Sequence, residues 1–149
     1  MIQTSTTHWS TKYLGRGWNP PQFDCWMLVV MAYAEIGVEL PVFDVDASDI
    51  RSVRATFRTT GEFSNWYEVS VGSLVEYDVV LMSIGNMPVH AGVFVGDGKA
   101  FRVLHCAPMG GTGIDNLGSL QSRGYKVASC YRRIGVGLPN GYPNLQKPV

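Results

Sequence analysis

The chain has 149 residues, 46% hydrophobic and 16% charged, which suits one domain with a sizeable core and excludes a disordered chain. Its formal net charge is zero with no basic cluster, which argues against a nucleic-acid surface. No apolar run reaches the length of a bilayer span, so no membrane insertion is expected, and an odd set of three cysteines disfavours a disulfide framework.

The opening Met1-Ile2-Gln3-Thr4-Ser5-Thr6-Thr7-His8 lacks the basic and apolar regions of a signal peptide, so synthesis in the cytoplasm without export is expected. His8 reads as a surface residue. A short helix over 10–14 precedes the loop Gly15-Arg16-Gly17-Trp18-Asn19-Pro20-Pro21. Trp9 and Trp18 flank Tyr13, either lining a cleft or simply packing. The loop feeds a helix over 25–36. Asp24 can cap its first amides, no Gly or Pro interrupts it, and Gly37 stops it. Glu35 is its one charge, so the helix should be largely buried. Cys25 stands in the first turn, where unpaired amides and the positive end of the helix dipole favour a thiolate. Residues 38–45 read as extended or irregular. Ser48 can cap a helix over 49–58, with Ile50, Val53 and Phe57 on one face. Residues 59–77 read as a packed connector carrying Trp66, Tyr67 and Val69.

From Asp78 the pattern changes to strands. Val79-Val80-Leu81-Met82-Ser83-Ile84 is one, bounded by the turn Gly85-Asn86-Met87-Pro88; 89–95 and 99–106 are the next two. Asp97-Gly98 between them is a two-residue hairpin signal. With that turn, Gly96 pairs with Lys99 and His90 falls directly opposite His105, on one sheet face. The shared face is expected to be the one toward Cys25. Cys106 then points to the other face and, like Cys130, reads as core. Residues 110–113 lack the context of a phosphate loop and read as a flexible cleft rim. A helical turn over 117–121 and a last strand over 127–134 complete the pattern. No close ligand spacing supports a metal, so no cofactor is expected.

A cysteine at a helix start, a strand histidine and a second histidine beside it are the parts of nucleophilic thiol catalysis. The thiolate attacks a carbonyl, one imidazole carries the proton, and a third polar group fixes the imidazole tautomer. The Cys25 amide could help bind the oxyanion.

These blocks resemble a known family. Tyr13 followed by Phe23-Asp24-Cys25 and Leu28-Val29 is similar to the nucleophile block of the NlpC-type cysteine peptidases. Asp78-Val79-Val80-Leu81 with His90-Ala91-Gly92-Val93-Phe94-Val95-Gly96 resembles their histidine block. Leu104-His105 resembles the third position, and Tyr131-Arg132-Arg133 the closing strand. The resemblance covers about residues 9–134 of a single domain over 1–149, with 135–149 a C-terminal extension. It implies an α+β, papain-like fold in which the cysteine helix packs on an antiparallel sheet. It also implies hydrolysis of peptidoglycan stem peptides between D-γ-glutamyl and diaminopimelate or lysine. By position, Cys25 is nucleophile, His90 general base and acid, and His105 the group that orients His90. Tyr13, Asp24 and Trp26 fall on the oxyanion and substrate side.

Two positions depart from the family pattern. Trp26-Met27 replaces the Ser-Gly of cell-wall recycling members, whose serine helps hold a free amine. Tyr77 stands where a glycine commonly precedes the aspartate. Asp-Cys-Trp is similar to the branch found in phage tails. The expectation is a phage or prophage tail peptidase that opens the cell wall, located in the virion tail and contacting other tail-tip proteins. The alternatives are a tail-tip assembly component with a vestigial fold, and acyl transfer by the same Cys-His pair.

Overall fold

The computed structural model describes residues 8–20, 22–42, 61–85, 87–96 and 99–136. The expected helix over 49–58, the Asp97-Gly98 turn and the tail from 137 onward lie outside the described residues.

A short 3-10 helix, Trp9–Tyr13, leads to α1, Cys25–Glu35. Asp24 begins α1 as the sequence predicts: its carboxylate accepts the Met27 amide at 2.9 Å. Two further 3-10 turns, Glu62–Asn65 and Val71–Ser73, flank the first strand, and the described residues after them are mostly strand. The strands are β1 Trp66–Val69, β2 Val79–Ile84, β3 Met87–Phe94, β4 Val103–Ala107, β5 Gly111–Asp115 and β6 Lys126–Arg133. A short helix α2, Leu117–Ser122, lies between β5 and β6. They form one antiparallel sheet in the order β1-β6-β2-β3-β4-β5.

Strand alternation divides the core into two sides. On one, Val29, Val30, Ala32 and Tyr33 of α1 pack on Val79, Ala91 and Val93, and Leu28 packs with Leu104 and Cys106. On the other, Val80, Met82, Phe94, Val103 and Cys130 meet Leu120 of α2 and Tyr125. Cys106 and Cys130 are therefore both core thiols, on opposite sides.

Three readings of the strands change. Of residues 110–113, expected as a flexible rim, all but Gly110 belong to β5, the strand at the sheet edge. The turn before β3 is shorter than expected, because Met87 and Pro88 already pair with β2. The β3–β4 hairpin is in a different register. Val93 pairs with Leu104 and Phe94 with Val103, so paired numbers sum to 197 rather than the 195 that an Asp97-Gly98 turn gives. The shift is two residues, an even number, so every side chain keeps its face.

Two irregularities meet beside His90. In the β2–β3 pair the register shifts between Met82 and Ser83, leaving Val89 as an extra residue, and in the β2–β6 pair it shifts between Leu81 and Met82. Bulges bend a strand and re-aim the side chain that follows.

Candidate active site

Cys25 opens α1 and is fully buried, packed in the cluster that holds Ala91. His90 lies opposite Met82 in the β2–β3 ladder and so shares the face of Met82, Phe94 and Tyr125. The body of α1 packs against the other face, that of Ala91 and Val93. Tyr125 lies on the His90 face. Its ring stacks on His90 with centroids 4.6 Å apart, and its hydroxyl is raised first by burial and then by the charge of Cys25.

The two histidines meet diagonally. Continued one step beyond the Val93–Leu104 pair, the register sets His105 opposite Gly92, two residues from His90, yet His90 Nε2 and His105 Nδ1 are 2.8 Å apart. Imidazoles reach across such a diagonal where smaller side chains do not. Gly92 makes the approach possible. A Cβ there would lie 2.7 Å from Val103 Cγ2, 2.8 Å from the Leu104 carbonyl oxygen and 3.0 Å from His105 Cβ.

The line continues into β5. His105 pairs with Gly113, and Asp115, two residues further on, reaches back so that its Oδ2 lies 2.6 Å from His105 Nε2. Arg123 Nε sits 3.1 Å from the same oxygen. Asp115 was not singled out from the sequence, because 110–113 read as loop. Pro108-Met109-Gly110, with Gly110 at a φ of 102°, is the signal that could have found it: a three-residue hairpin loop, from which the register places Asp115 beside His105.

Burial dominates the electrostatics. It pushes His90 down to about 3, with His105 adding to the depression, and lowers His105 even though Asp115 pulls the other way. Burial would raise Asp115, but hydrogen bonds from His105 and Ser119 and the charges of His105 and Arg123 hold it below the ordinary value. The site is thus two neutral imidazoles against an ionised carboxylate.

The remaining candidates have other partners. The Tyr13 hydroxyl donates to Glu35, ten positions beyond Cys25 on α1 and about 15 Å along the helix rise. In this structure the Tyr13 hydroxyl is engaged by Glu35. Trp26 is buried in the core cluster and its indole donates to the Pro41 carbonyl at 2.9 Å. Asp24 is buried and serves as the α1 cap. His8 bridges to Glu76 at 2.7 Å. Among the described residues no group of three or more His, Cys, Asp or Glu could hold a metal, and no helix is long and apolar enough to cross a membrane.

A cysteine-bearing helix packed on an antiparallel sheet of this kind defines the papain-like α+β class. Within that class, the NlpC/P60 family model matches residues 10–117. The chain belongs to the NlpC/P60 family, whose members are generally cysteine peptidases acting on peptidoglycan. No match was found among curated proteins.

Proposed function

We propose that the chain is a cysteine endopeptidase that cuts peptidoglycan stem peptides between D-γ-glutamyl and diaminopimelate or lysine. The observation that carries this reading is the hydrogen-bonded pair His90–His105, with Tyr125 lying on His90 and within the electrostatic reach of Cys25, in a chain of the NlpC/P60 family.

The chemistry runs in two halves. The Cys25 proton moves to His90 Nδ1, and the sulfur attacks the amide carbon to give a tetrahedral oxyanion facing the Cys25 amide. Collapse breaks the C–N bond while His90 returns the proton to the leaving amine. Water, deprotonated by His90, then hydrolyses the thioester and frees Cys25. His105 accepts from His90 Nε2 throughout and keeps the ring oriented. Because Trp26 is buried in the core, no side chain at that position is available to bind a free amine, which favours cleavage within a longer stem over trimming of free peptides.

The Asp-Cys-Trp sequence supports a place in a phage or prophage tail, where the chain would contact other tail-tip proteins. Detection of the chain in purified particles supports that location, and a chain found only in host cytosol counts against it. The alternative is a tail-tip component that keeps the fold without the activity. One observation favours it: Cys25 and His90 are only 0% and 2% exposed, so substrate must open the site. Digestion of purified diaminopimelate-type and lysine-type sacculi, with mass spectrometry of the fragments, separates the readings. Fragments ending in D-glutamate with a new diaminopimelate or lysine amino terminus are expected; intact stems from both chemotypes overturn the peptidase reading.

A further inference from the structure

We propose that Asp115, held by Arg123, is a positioning residue that locks the proton on His105 Nε2 and thereby sets His90 with its proton on Nε2 and its lone pair on Nδ1. The proposal rests on the peptidase reading for its catalytic meaning, but the proton arrangement itself can be observed without any activity.

Hydrogen-bonding capacities along the line fix where each proton sits. An ionised carboxylate can only accept, so the 2.6 Å contact places a proton on His105 Nε2. A neutral imidazole carries one N–H, so His105 Nδ1 is then an acceptor. The 2.8 Å contact to His90 Nε2 requires one donor, and that donor has to be His90. His90 Nδ1 is left as the free base. Burial keeps His105 neutral, as this requires, since a doubly protonated ring would present a donor to His90 instead of an acceptor. The carboxylate is fixed from three sides: His105, the Arg123 guanidinium at 3.1 Å and the Ser119 side chain.

The sheet supplies the geometry. His90 on β3, His105 on β4 and Asp115 on β5 are each displaced by two residues from the ladder position opposite the previous one. They form one diagonal across three strands on a single face. If Asp115 accepted hydrogen bonds only from solvent or from α2, no such alignment would be needed.

The test uses the whole chain labelled with ¹⁵N in its three histidines, so only His8, His90 and His105 contribute signals. Near neutral pH, His90 and His105 are expected to show protonated Nε2 and unprotonated Nδ1. A wild-type spectrum with the His105 proton on Nδ1 overturns the proposal. Asp115→Asn offers an amide that can donate to His105 Nε2, which would reverse both tautomers. That variant is expected to show mixed or reversed tautomers and to lose kcat by about tenfold or more, with KM little changed, since general-base effects are about 10²–10⁴-fold. Asp115→Glu, which keeps the acceptor, should restore the wild-type tautomers and part of the rate. Unchanged tautomers and kcat in folded Asp115→Asn would also overturn it. If wild type is inactive on peptidoglycan yet shows the expected tautomers that Asp115→Asn reverses, the peptidase reading fails while the proton lock stands.

Discussion

His90 and His105 are hydrogen-bonded at 2.8 Å although neither is the other's ladder partner. The residue that does face His105 is Gly92, and the lack of a side chain there lets the two rings converge.

Gly92→Ala should therefore uncouple the pair. Its Cβ would press on the Leu104 carbonyl and on His105 Cβ, both closer than ordinary contact. Overpacking of this kind costs about 1–3 kcal/mol. Chemical denaturation should show the loss of stability, and the His90 ring signal should shift. An unchanged midpoint would mean that the strands separate at no cost.

Thiol chemistry should single out Cys25. Burial raises Cys106, and it pushes Cys130 up to about 12. A small alkylating probe near pH 6.5 should label Cys25 first, as peptide mapping would show. Since Cys25 is also buried, the labelling rate reports opening of the site as well. Equal labelling of all three in folded protein would count against a distinct nucleophile.

Stability should fall with acid earlier than carboxylates alone require. Burial holds the folded-state values of His90 and His105 below the ordinary 6.5, so the unfolded chain takes up protons first as pH drops. Their contribution is complete above about pH 6.5 and for His90 is lost progressively toward about 3. Each unit of depression corresponds to about 1.4 kcal/mol. Denaturation at pH 7.5 and 5 should show wild type losing stability over this window and His90→Gln losing less. A flat wild-type profile would show that the imidazoles are solvated.

The Asp78–Arg132 pair should be the fold's most sensitive ionic contact. Asp78 is buried and accepts from Arg132 Nε at 2.9 Å, Arg132 Nη2 at 2.8 Å and the Val75 amide at 2.8 Å. Arg132→Leu leaves a buried carboxylate without its cation, at about 3–5 kcal/mol. Thermal melts would reveal it; a melting temperature within a degree of wild type would place the carboxylate in solvent.

The sequence made α1 legible because its signals are local: an Asp cap, an uninterrupted apolar run and Gly37. The strand β2 was legible from its β-branched run, and β6 was placed to within one residue at each end. Register was not, because the two-residue signal Asp97-Gly98 competes with longer loops whose preference depends on tertiary pairing. The face shared by the histidines survived the error because the slip was even. Asp115 was missed for a related reason: glycine-rich β5 has little strand propensity and exists through pairing with β4. Tyr77 shows what the family pattern hides. Its φ of 76° is a left-handed position that suits glycine, and the tyrosine there stacks on Trp9 with centroids 4.7 Å apart. The Glu35 partner of the Tyr13 hydroxyl was not legible, because spacing locates a residue without saying where its side chain ends.

The central claim is that Cys25, His90 and His105 act as one unit. Its most direct measurement is release of new amino termini from purified peptidoglycan by wild type and by folded Cys25→Ala, His90→Ala, His105→Ala and His105→Gln. The account predicts essentially no release for Cys25→Ala and nearly none for His90→Ala, because members of such a unit fail together. His105→Ala should lose about tenfold or more, and His105→Gln, which keeps an acceptor for His90, should retain part of the rate. Wild-type release by His105→Ala would remove His105 from the unit, and undiminished release by Cys25→Ala would contradict the account outright.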